Sequence, residues 1–115
     1  MNRLLNSFYL IVAFGFLQAS CEDHTTSPYD CTENPVTFST DIQPIINSSC
    51  ATTECHDKNS ENGDYTTYSG LETIIKDGRF ENRVLVSKTM PVDNPLPDST
   101  LAQIQCWVDN NTPNN

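Results

Sequence analysis

Apolar positions along this 115-residue chain fall into blocks separated by polar stretches. The first block, Leu4 to Leu17, is almost unbroken and contains Phe8, Tyr9, Leu10, Ile11, Val12, Phe14 and Phe16. Residues 22–36 then hold almost nothing apolar. From Phe38 the pattern becomes periodic: Ile42, Ile45 and Ile46 share one helix face after Ser39, Thr40 and Asp41, any of which can cap an N-terminus. Pro44 is compatible with that helix only in or near its first turn. A second helix is predicted from about Tyr68 to Lys76, with Leu71, Ile74 and Ile75 on one face and Gly78 as its stop. A loop with Pro91, Pro95 and Pro97 follows. The last helix is predicted to begin at Asp98-Ser99-Thr100, to align Leu101, Ile104, Trp107 and Val108, and to end at Asn110-Asn111, with Cys106 on its flank. Val84-Leu85-Val86 could form a strand, but nothing else offers it a strong partner. The expected fold class is therefore all-α.

The N-terminal block has one cation before it, Arg3, and small residues after it, Ala19-Ser20. It is shorter than the roughly 20 residues a spanning helix needs and has the layout of a secretory signal peptide. The expected organisation is a leader at 1–20, a polar tether at 21–36 and one folded domain at 37–115. The mature protein is expected to be exported to the cell envelope. Leu17-Gln18-Ala19-Ser20-Cys21 resembles the lipobox of bacterial lipoproteins, although Leu17 stands four places before the cysteine instead of three. That resemblance implies a lipid on Cys21, which would tether the domain to a membrane without spanning it. His24, within the tether, reads as a solvated residue.

Once Arg3 leaves with the leader, 5 basic residues face 15 acidic ones, a net charge of −10. A phosphate-binding protein would carry the opposite sign, so nucleic acid is excluded as an expected partner. An acidic surface could steer a basic partner protein, and it also serves simply as a soluble face.

The chemistry concentrates in Cys50-Ala51-Thr52-Thr53-Glu54-Cys55-His56. Covalent haem attachment needs two thiols a short loop apart, each adding to one vinyl group, and a histidine directly after the second to reach the iron. The common spacing has two intervening residues and this loop has four, so it must bulge. Other chemistries compete for the same residues. Cys50 and Cys55 could form a local disulfide, as exported proteins often do. A zinc site would need Cys31 and Cys106 as well, or His56, and the adjacent Cys55 and His56 cannot easily share one tetrahedral ion. Thiol–disulfide exchange usually uses two intervening residues beside a strand. If haem is attached, the second axial ligand has one good candidate, Met90 in Lys88-Thr89-Met90-Pro91. Its thioether suits ferrous iron, and Pro91 would stiffen the loop that delivers it.

From about Phe38 to Pro113 the chain resembles a short class I cytochrome c domain of bacterial envelope proteins. The matching pieces are Asp41-Ile42-Gln43-Pro44-Ile45-Ile46, Ser49-Cys50, Cys55-His56, Thr67-Tyr68, Thr89-Met90-Pro91, Leu101 and Ile104-Gln105-Cys106-Trp107-Val108. It is also similar to members with a widened attachment loop. The resemblance implies N- and C-terminal helices packed together around one haem c, with His56 and Met90 as axial ligands of the iron. Its implied role is single-electron transfer to and from partner proteins, with no catalytic site. Pocket walls are expected from Ile45, Ile46, Leu71, Ile74, Ile75, Leu101, Ile104 and Trp107.

Assigning Cys21 to lipid and Cys50 and Cys55 to haem leaves Cys31 and Cys106, an even pair in an oxidising compartment, expected to join as a disulfide. The alternative is a disulfide-stapled exported binding or structural module without haem, braced by Cys50–Cys55 and Cys31–Cys106.

Overall fold

The computed structural model describes residues 29–115. The leader, Cys21 and His24 lie outside the described residues. Helices form all the regular structure among the described residues, with no strand. A π-helical turn, Phe38–Ile42, runs into α1, Gln43–Ser49; then come α2, Tyr68–Lys76, and α3, Arg79–Glu81, which continues as a second π-helical turn, Asn82–Val86; α4, Asp98–Asp109, closes the order. No helix among the described residues is long and apolar enough to cross a membrane.

The first helix starts earlier than its periodicity predicts. Thr37, and not Ser39, Thr40 or Asp41, is the cap: its side chain accepts from the Thr40 N–H. Its own N–H donates to Asp41 Oδ2 at 2.8 Å, a reciprocal pairing that satisfies two otherwise orphaned donors. That bond holds the Asp41 carboxyl below its ordinary range. Pro44 brings no N–H to the ladder and crowds the carbonyl four residues back, and the wide turn before it accommodates the ring.

The segment α2 has the predicted bounds. Thr67 caps it, and Gly78 ends it in a left-handed conformation at φ 76° that a side chain would strain. Gly70 is required for a different reason, because a β-carbon there would meet the backbone carbonyl of Asp64. Val84-Leu85-Val86, the candidate strand, is helical. Without a ladder partner, β-branched residues gain nothing from extension, and continuing the turn from Arg79 puts Phe80 and Val84 on the same face, where both are buried.

The core consists of Val36, Phe38, Ile42, Ile46, Leu71, Phe80, Val84, Ala102, Ile104, Cys106 and Trp107. Trp107 is its centre: fully buried, it has Phe38, Tyr68 and Phe80 around it with ring centroids at 5.8, 6.5 and 5.9 Å. Its Nε1–H donates to the Pro113 carbonyl at 2.9 Å. The chain after α4 thereby folds back, and Tyr68 Oη–H on Thr112 and Ser39 N–H on Asn115 hold it in the same way. The N-terminal helical turn packs on α4 through Phe38 against Trp107 and Asp41 Oδ1 accepting from Gln103 Nε2.

Cys31 and Cys106 are joined in a disulfide that closes 75 residues. Cys106 is buried in α4, so the bridge ties the segment before Val36 to the core. Val36 belongs to that core, and Tyr29 packs against it. The folded unit thus reaches back past the boundary expected at residue 37, because a cross-link and a single buried valine suffice to order an otherwise polar stretch.

Candidate haem-attachment cleft

Cys50 caps the C-terminal end of α1, its N–H donating to the Ile46 carbonyl at 2.8 Å. The loop that follows solves the problem of its width by folding onto itself. The Cys55 N–H donates to Thr52 O at 3.1 Å, and the His56 N–H reaches back across the whole loop to Cys50 O at 3.1 Å. Glu54 takes a left-handed conformation at φ 70°, and this reversal brings the second thiol and the histidine back toward the first thiol. Four intervening residues thus bulge out while Cys50, Cys55 and His56 remain together.

His56 is held from three sides. Its carbonyl accepts from the Tyr65 N–H at 2.9 Å, its ring stacks on that of Tyr65 with centroids 4.0 Å apart and planes at 17°, and its Nδ1 lies 3.2 Å from the Asn62 carbonyl. A carbonyl only accepts, so Nδ1 carries the proton of the neutral ring and Nε2 keeps its lone pair for a metal. Metal-bound histidines are commonly oriented by such a partner on their other nitrogen.

Met90 arrives from the far end of the domain. After the second π-helical turn, Lys88 turns left-handed at φ 50°, and the N–H groups of Thr89 and Met90 both donate to the Arg83 carbonyl, at 2.8 and 3.1 Å. That double anchor fixes where the thioether loop leaves the helix.

These elements enclose one cleft of about 750 Å³, within the range of pockets that hold a cofactor. Cys50, Cys55, His56 and Met90 all line it, with Ile46, Ile74, Phe80 and Val84 as apolar wall and Tyr65, Arg79 and Arg83 as polar wall. No family profile, curated protein or solved structure matches the chain.

Of the walls expected from the sequence, only Ile46 and Ile74 face the cleft. Leu71, Ile104 and Trp107 are consumed by the core, and Ile45, Ile75 and Leu101 pack against it half-buried. Helical periodicity identifies a buried face without saying whether protein or ligand covers it. Sequence reasoning also missed Asn62, Tyr65, Arg79 and Arg83. The only signal for Tyr65 was an aromatic ring in an otherwise polar loop.

The two motif cysteines are free thiols, whereas Cys31 and Cys106 are bonded. Burial, and then the neighbouring Cys55, push the Cys50 thiol up to about 11. Such a thiol is protonated at neutral pH and is a poor exchange nucleophile. In protein made without haem, alkylation by iodoacetamide at pH 8 should therefore modify exposed Cys55 at least tenfold faster than Cys50, since only about one Cys50 in 1000 is thiolate there. The Cys50 rate should climb about tenfold per pH unit toward pH 11. Peptide mapping of the alkylated residues reads both rates, and equal rates at pH 8 would contradict this account.

The donor set fits haem better than a bare ion. No group of three or more His, Cys, Asp or Glu side chains is placed to hold a metal among the described residues. A porphyrin brings four nitrogen ligands of its own and asks the protein for two axial donors, an imidazole and a thioether being one common pair.

Proposed function

We propose that this protein is a single-electron carrier with one haem c, bound covalently through Cys50 and Cys55 and ligated by His56 and Met90, in the bacterial cell envelope. The observation that carries the reading is the convergence of Met90, distant in sequence, with Cys50, Cys55 and His56 on one cleft of sufficient size. Bound haem supplies the one-electron chemistry, its iron alternating between ferric and ferrous.

The chain's own residues do the rest. His56 offers Nε2 because Asn62 and Tyr65 fix its tautomer and ring plane. Met90 lines the cleft with a soft thioether that would suit ferrous iron and would leave no open position for oxygen. Ile46, Ile74, Phe80 and Val84 keep the wall dry. Thioether bonds at Cys50 and Cys55 prevent loss of the group from a cleft open to solvent on one side. A scaffold that held His56 and Met90 in place would keep reorganisation small as the electron moves. The redox partner is proposed to present a basic face to this acidic surface, and Cys21 is proposed to carry the lipid that holds the domain at the membrane.

The deciding experiment is haem staining after denaturing electrophoresis of protein made with cytochrome maturation machinery. The expected result is a stained band at the size of the chain that disappears in the Cys50→Ala/Cys55→Ala double variant. A colourless wild-type band would leave a haem-free module stapled by Cys31–Cys106, with Cys50 and Cys55 as free thiols, as the reading.

A further inference from the structure

We propose that Arg83 is the carboxylate-binding residue of this cleft, holding a propionate side chain of the tetrapyrrole, with Arg79 adding to the local positive field. The proposal rests on the haem reading above.

Cations are scarce in this protein, 5 against 15 acidic residues after the leader, yet two of them line the one cleft that gathers the haem-attachment residues. Arg79 and Arg83 stand four residues apart on the continuous helical stretch from Arg79 to Val86, so they share a face. Both line the cleft together with Tyr65, whose ring stacks on that of His56. Arg79 is already engaged, its Nε donating to Asp77 Oδ2 at 2.8 Å. The Arg83 guanidinium makes no hydrogen bond or ion pair with any described residue, so a planar five-donor fork is left over at the cleft wall.

The ligand proposed for this cleft carries two carboxylates. The other charged residues in the wall, Glu54 and Asp93, would repel them, so charge alone orients the carboxylate edge toward Arg83. Bidentate pairing of guanidinium with carboxylate is the strong form of that contact. Arg83 also accepts from the Thr89 and Met90 N–H groups with its main-chain carbonyl, so one residue would couple the carboxylate edge to the loop that carries the thioether.

The test uses the holoprotein and reads its reduction potential by spectroelectrochemistry. Replacing Arg83 by Gln leaves a carboxylate uncompensated beside the iron, which stabilises the ferric state. The ferrous-to-ferric ratio at a fixed ambient potential should fall about tenfold, equivalent to about 59 mV for one electron. Arg83→Lys keeps the charge without the fork and should recover most of that ratio. Lys76→Gln removes the same charge from a side chain paired with Glu72 outside the cleft, and should change the ratio less than twofold. A haem-loaded Arg83→Gln variant with an unchanged potential would overturn the assignment, as would an equal shift in Lys76→Gln. A wild-type protein that carries no covalent haem would overturn the haem reading itself.

Discussion

In the proposed haem-bound form, replacing Met90 by alanine should leave the haem attached and lower its reduction potential by on the order of 0.1 V or more, since axial ligands tune haem potentials over several tenths of a volt. The attachment survives because it depends on Cys50 and Cys55, which the substitution does not touch. The potential falls because a thioether stabilises ferrous iron relative to water or hydroxide, the donors that would replace it. Three observables should change together. The weak long-wavelength absorption of a sulfur-ligated ferric haem should vanish, the midpoint potential should drop, and ferrous protein should bind carbon monoxide through the position left open. Met90 lines the same cleft as His56, and its loop is pinned twice to the Arg83 carbonyl. An unaltered spectrum in Met90→Ala would show that the sulfur is not a ligand and that the residue merely fills the wall.

The largest expected loss of stability is that of Trp107→Ala. The side chain is fully buried at the meeting point of the helices, and its removal should cost about 3–5 kcal/mol, a sizeable share of the marginal stability of a domain this small. Two effects add. Phe38, Tyr68 and Phe80 lose the ring they surround, leaving a cavity where three elements converge. The Pro113 carbonyl loses its donor, and the fold-back of residues 112–115 onto the first helix loosens with it. Trp107→Phe separates the two, since it keeps most of the packing and removes only the N–H; its cost should be about 1–3 kcal/mol. Urea melts of the three proteins, with the Cys31–Cys106 disulfide intact in each, measure the difference. Equal midpoints for wild type and Trp107→Ala would mean that the aromatic cluster does not organise the fold.

Helices with a strong apolar period were the most legible elements. The bounds of α2 and α4 follow from the spacing of Leu71, Ile74 and Ile75 and of Leu101, Ile104, Trp107 and Val108, reinforced by Gly78 and by Asn110-Asn111. The start of the first helix was misjudged because the capping signal was ambiguous. Thr37, Ser39, Thr40 and Asp41 are all competent caps, and the choice among them depends on Phe38 being drawn into the core against Trp107. Val84-Leu85-Val86 shows the limit of local propensity: β-branched residues favour a strand only where a neighbouring strand exists. Residues 29–36 were invisible as part of the fold because they are tied to it by Cys31, whose partner is 75 residues away, and by Tyr29 and Val36, too few apolar positions to form a period.

For the candidate site, the sequence by itself determined which donors are available. Two thiols, an adjacent imidazole and an internal thioether are properties of residue identity, and so is the excess of acidic over basic residues. Tertiary structure decided that these donors meet. The widened loop closes because His56 bonds back to Cys50 and Glu54 reverses the chain, and Met90 joins them because Arg83 anchors its loop. It also decided which apolar residues border the cleft and which face one another: Ile46 and Ile74 line the cleft while Leu71, Ile104 and Trp107 fill the core. The physical reason is common to all of these cases. Periodicity and composition are set by neighbours along the chain, whereas a cleft is a space left between elements, defined only once their packing is complete.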